Sequence, residues 1–110
     1  MINIEIKVRQ LSKTNTTTTF EVNIITGETQ TKHLVYLDNA DYQELTAGKI
    51  TPEELVRKTM EFLLQKKPKE SILRELDIGQ ISGYLPEYPE QVKEWLKDLP
   101  ATEDDLSSTR

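Results

Sequence analysis

Apolar and polar positions alternate from the start of the chain, where Ile2, Ile4, Ile6 and Val8 are separated by Asn3, Glu5, Lys7 and Arg9. A period of two is that of a strand with one covered face. Residues 12–16 (Ser-Lys-Thr-Asn-Thr) read as a polar loop. A second alternating run follows, with Phe20, Val22 and Ile24 in phase and the β-branched Thr16–Thr19 leading into it. Thr26-Gly27-Glu28 supplies a turn, because glycine accepts the positive φ that tight hairpins need. A third strand over about 30–37 places His33, Val35 and Leu37 on one face. The three runs predict an antiparallel meander at the N-terminal end.

The period then changes to that of a helix. Asp38 is placed to cap a short helix through Tyr42 and Leu45, with Gly48 as its stop. Thr51-Pro52-Glu53-Glu54 is the strongest local signal in the chain. It combines an N-cap threonine, a proline at the first helical position and a capping-box glutamate. Leu55, Val56, Met60, Leu63 and Leu64 then share one helical face, and Pro68 ends the run. A shorter helix is predicted over about 69–76, presenting Ile72, Leu73 and Leu76. Asp77 caps a further turn or two through Tyr84, and Pro86-Glu87-Tyr88-Pro89 forces a corner. The last helix starts at Pro89, carries Val92, Trp95, Leu96 and Leu99, and stops at Pro100. The fold class expected from this pattern is α+β. A three-stranded antiparallel sheet packs against about four helices in one domain over 1–100, and 101–110 forms a disordered acidic tail.

Composition narrows the function classes. At 110 residues, with 35% apolar and 30% charged residues, the chain supports one modest core. With no cysteine, disulfides, thiolate metal sites and thiol nucleophiles are excluded. The first residues lack the basic-then-apolar pattern of a signal peptide, and no apolar run approaches a membrane span, so the expected location is the cytoplasm. The net charge of −5 is uneven: residues 77–110 hold 3 basic against 8 acidic groups, while the rest is nearly balanced. An acidic chain is poorly matched to nucleic acid, whose binding rests on neutralising phosphates.

Candidate chemistry is sparse. The single histidine, His33, shares a strand face with Val35 and Leu37 and has no nucleophile or orienting partner in the pattern. Glu53/Glu54, Glu87/Glu90 and Asp104/Asp105 lack the spacing of a calcium loop, and the four glycines form no phosphate-cradling loop. The expectation is therefore no catalytic constellation, no metal and no cofactor. Two surface candidates are left. Lys66, Lys67, Lys69 and Arg74 form a basic stretch that a nucleic-acid-associated regulator could use, although lysines before a helix-ending proline are ordinary termination chemistry. Tyr84, Leu85, Glu87 and Tyr88 gather aromatic residues at one corner, as in a protein-binding surface.

Thr31, His33, Val35 and Leu37, then Glu53-Glu54-Leu55-Val56, Phe62-Leu63-Leu64, Pro68-Lys69-Glu70-Ser71-Ile72-Leu73, Asp77-Ile78, Ile81 and Tyr84-Leu85-Pro86-Glu87-Tyr88 form a string of motifs over about 20–96. That string resembles a family of short bacterial proteins of uncharacterised function. The resemblance implies a compact bacterial cytosolic domain and brings no activity, cofactor or catalytic residue with it. The leading expectation is a non-catalytic interaction or regulatory module. Its partner would be another protein, or a second copy joined through a sheet edge. A nucleic-acid-associated regulator and an enzyme with a carboxylate site are the alternatives.

Overall fold

The computed structural model describes residues 3–97 and has an α+β architecture: one mixed sheet covered on a single face by helices. Strands β1 (Ile4–Lys13), β2 (Thr17–Thr26) and β3 (Thr29–Asp38) form the expected antiparallel meander. The polar loop shrinks to 14–16, because β1 continues through a bulge between Gln10 and Ser12 that leaves Leu11 at the surface. The loop is held at its base by the Thr14 N–H on the Thr17 carbonyl (2.8 Å). Asn39 ties it down further, through its own N–H on Thr16 O and its side-chain amide on Asn15 O, each 2.8 Å. At the β2–β3 turn Gly27 has φ +57°, while Glu28 is not in the left-handed region. That combination is the two-residue turn with glycine first, which matches strand twist.

The alternation read from sequence decides which face is covered. Phe20, Val22 and Ile24 of β2 and His33, Val35 and Leu37 of β3 are all at most 2% exposed, and Ile6 joins them from β1. Their neighbours Arg9, Glu21 and Lys32 lie on the opposite, uncovered face. There Arg9 and Lys32 bracket the Glu21 carboxylate, which the Arg9 hydrogen bond holds below the usual carboxylate range.

Helices α1 (Asn39–Thr46), α2 (Pro52–Lys66), α3 (Ile81–Tyr84) and α4 (Tyr88–Lys97) supply the rest of the core. In α2 the Thr51 hydroxyl accepts from Glu54 N–H at 3.1 Å, as the capping box requires, and Leu55, Val56, Met60 and Leu63 are buried. Before α1 the expected cap is not made: the Asp38 carboxylate instead accepts the Thr17 hydroxyl at 2.7 Å. Ala47 (φ +53°) and Gly48 (φ +75°) together take the left-handed stop of α1.

The helix expected over 69–76 is not formed, and the sheet has four strands, not three. After Pro68 a single 3-10 turn (Lys69–Ser71) gives way to extended chain at Ile72 (φ −80°, ψ 136°). Strand β4 (Glu75–Asp77) follows and runs parallel to β3. Ile72 and Leu76 are buried, while Leu73, which a helix would have turned inward, is 55% exposed. The outer side of β3 has backbone groups that need partners, and the Leu34 N–H finds Arg74 O at 2.7 Å. Leu99, Pro100 and the acidic tail lie outside the described residues, as does Ile2.

Candidate functional site

The two surface candidates separated in the sequence meet in the fold. The C-terminal end of α2 lies against the corner between α3 and α4. There the Lys66 ammonium pairs with the Glu87 carboxylate at 2.8 Å, and the Lys67 ammonium stands 5.9 Å from the centroid of the Tyr84 ring. Lys66 also lies over Phe62, 5.2 Å from its centroid. The Lys66 hydrogen bond lowers the Glu87 pKa, and partial burial raises that of the Tyr84 phenol. Tyr84 is 46% exposed, Leu85 is half-buried and Glu87 is exposed. The result is a surface patch with one aromatic face, two ammonium groups and one carboxylate.

Tyr88 does not belong to that surface. It is 1% exposed, and its ring clusters with those of Phe62 (centroids 5.8 Å apart) and Trp95 (6.2 Å). Its hydroxyl shares a 2.7 Å hydrogen bond with buried Thr59, and burial pushes the phenol pKa well up. Tyr88 is the anchor that fixes the corner, while Tyr84 is the group displayed on it.

Lys69 is likewise withdrawn from the basic stretch. It is 5% exposed, and its ammonium donates to Thr29 Oγ1 and to Glu70 Oε2, each at 2.6 Å. This lysine fastens the chain after α2 to the β2–β3 hairpin. Arg74 is exposed but sits just before β4, beside β3. Of the four basic residues, the fold therefore places only Lys66 and Lys67 at the α2 end.

His33 is 1% exposed and both ring nitrogens are engaged. A carbonyl can only accept, so Nδ1–H donates to Leu73 O (2.7 Å) and Nε2 accepts the Thr31 hydroxyl (2.8 Å). Burial lowers its pKa. With neither nitrogen facing an accessible surface, the ring works as a tie between β3 and the chain leading into β4.

A polar hollow of about 300 Å³ is lined by Asp41, Glu44, Leu45, Gly79, Ser82, Pro89 and Lys93. Burial, followed by the charges of Asp38, Asp77 and Glu44, raises the Asp41 pKa. The carboxylate lies so close to Gly79 that a Cβ there would stand 2.2 Å from Oδ2. Asp77 and Gly79 are joined by their own 2.9 Å capping bond. Nothing in the sequence pointed to Asp41, because the glycine that makes room for it is 38 positions away. Among the described residues no group of three or more His, Cys, Asp or Glu is arranged to hold a metal ion, and no helix is long and apolar enough to cross a membrane. No family model, curated protein or solved structure matches the chain.

Proposed function

We propose that the chain is a non-catalytic, cytoplasmic interaction module that holds another protein through the patch formed by Lys66, Lys67, Tyr84, Leu85 and Glu87. The observation behind this reading is the exposed Tyr84 ring with the Lys67 ammonium over it, held on a corner that buried Tyr88 fixes from behind. Tyrosine is favoured at interface hot spots because it offers a large, stiff, amphipathic surface. A neighbouring cation and anion give such a patch polarity and therefore orientation. The nucleic-acid alternative is the weaker reading, since Lys69 is buried and Lys66 is neutralised by Glu87.

The test is retention of proteins from host lysate by the tagged chain, with and without nuclease. Tyr84→Ala should abolish retention of a specific partner without lowering thermal stability by more than about 1 kcal/mol, as befits a half-exposed side chain. Retention unchanged by Tyr84→Ala sinks the assignment of this patch, and retention lost on nuclease treatment moves the reading to nucleic acid.

A further inference from the structure

We propose that β1 is a self-association edge, pairing antiparallel with β1 of a second copy so that Ile6 faces its own symmetry mate. The surface is distinct from the Tyr84 patch, so the two readings stand or fall separately.

The hydrogen-bonding sense of the edge follows from the register. The turn closes on Thr26 opposite Thr29, so the even-numbered residues of β2 bond to β3 and the odd-numbered ones to β1. Glu5, Lys7 and Arg9 therefore direct their backbone groups at β2, and Ile4, Ile6 and Val8 direct theirs outward. The Arg57 guanidinium, which donates to the Ile6 carbonyl from α2, confirms that sense. A carbonyl oxygen has two lone pairs, so an Ile6 N–H from a partner can share it with Arg57. The opposite margin of the sheet is occupied by β4, which makes β1 the long open edge among the described strands.

The occupant is identified by charge and by apolar surface. Because the outward groups of both strands are even-numbered, antiparallel registers pair even with even. Centring on Ile6 sets Ile6 against Ile6, Ile4 against Val8 and, on the uncovered face, Glu5 against Lys7 of the second copy, twice by symmetry. The adjacent registers are poorer: one sets Lys7 against itself and offers Glu5 only Arg9, which Glu21 of the same chain already holds, another sets Lys7 against Arg9, and a third Glu5 against itself. Glu5 and Lys7, 61% and 62% exposed, already lie 3.8 Å apart within one strand and are free to exchange partners. Beside the edge, Ile4 (52% exposed), Ile6 and Leu64, with Glu61 and Gln65 at their side, line a shallow, mostly apolar hollow of about 220 Å³, which a second β1 with its own α2 would cover. The bulge after Gln10 ends the pairing stretch.

Sedimentation velocity of the full chain from micromolar to near-millimolar concentration tests this. The expected result is the mass of two chains. Lys7→Glu should weaken the dimer on the order of 30-fold, since two attractive cross-strand pairs become repulsive. Glu5→Lys combined with Lys7→Glu in one chain should restore it. Mixing the two single variants should give a mixed dimer tighter than either variant forms alone. Both side chains are exposed, so circular dichroism should show an unchanged fold. A one-chain mass throughout overturns the proposal, as does a dimer indifferent to Lys7→Glu or one that the double reversal fails to restore.

Discussion

The two margins of the sheet are treated differently. Along the outer side of β3 the chain returns after α2 and is fastened at successive points. Lys69 is bound to Thr29, Leu73 O to His33, Arg74 O to the Leu34 N–H, and β4 then pairs in register with Leu34, Val35 and Tyr36. Along β1 the described structure places a single side chain, Arg57, on one outward carbonyl. The first margin is part of the core, as the buried Ile72, Leu76 and His33 show. The second keeps backbone donors and acceptors at the surface next to apolar side chains. A strand edge left in that condition is a template for another strand unless charge or a bulge restricts it. Here Glu5, Lys7, Arg9 and the bulge after Gln10 do the restricting, and they narrow the choice of partner strand without closing the edge.

The comparison can be broken most forcefully at Leu76. Leu76→Ala removes a side chain that is 3% exposed on the short strand closing the sheet, and should cost about 3 kcal/mol. The equivalent truncation on the open margin, Val8→Ala, should cost about 1 kcal/mol because Val8 is half-buried. Urea denaturation midpoints of the two variants measure the asymmetry, and equal losses would show that β4 adds little to the core.

A smaller effect, with a pH signature, is expected at His33. Burial depresses its pKa below the ordinary 6.5, so on acidification the unfolded chain takes up the proton before the folded one. Stability from this group is therefore complete above about pH 6.5 and declines as pH falls below it, until the folded ring titrates as well. His33→Gln should be less stable than the parent by about 1–2 kcal/mol at pH 7.5, with a gap that narrows toward pH 5. A gap independent of pH would mean that the ring does not titrate in that window.

The smallest effect should follow Arg57→Ala. It removes one charged donor from a carbonyl at the rim, for a loss of about 1 kcal/mol or less. Its sharper readout is hydrogen exchange: the outward amides of Ile4, Ile6 and Val8 should exchange no more slowly than in the parent, while that of Leu34 stays protected. Protection lost at Leu34 would couple the two margins and undo the contrast.

Sequence patterning found the meander because each strand has one covered face, and it found α2 because threonine, proline and glutamate mark its start. It missed β4. The four-residue spacing of Ile72 and Leu76 fits one face of a helix and also one face of an extended chain, and only the needs of β3 decide between them. It grouped Tyr84 with Tyr88 because they share a corner, whereas the partner that draws Tyr88 inward, Thr59, is 29 residues away and on another helix. Lys69 was misplaced for a similar reason: a lysine beside a helix-ending proline reads as solvated, and the hairpin hydroxyl that receives it is 40 positions earlier. The encounter of Lys66 and Lys67 with the Tyr84 corner follows from how α2 and α4 pack, through Phe62, Tyr88 and Trp95.

That aromatic junction has an optical consequence. The only tryptophan in the chain, Trp95, stands edge-on to Phe62 (6.3 Å) and Tyr88 (6.2 Å), on the helix layer. Its emission therefore reports the docking of α4, whereas far-ultraviolet ellipticity sums over sheet and helices alike. When the two signals follow the same curve during denaturation, the helical corner and the sheet melt as one cooperative unit. When the emission shifts first, the corner detaches from a sheet that is still folded.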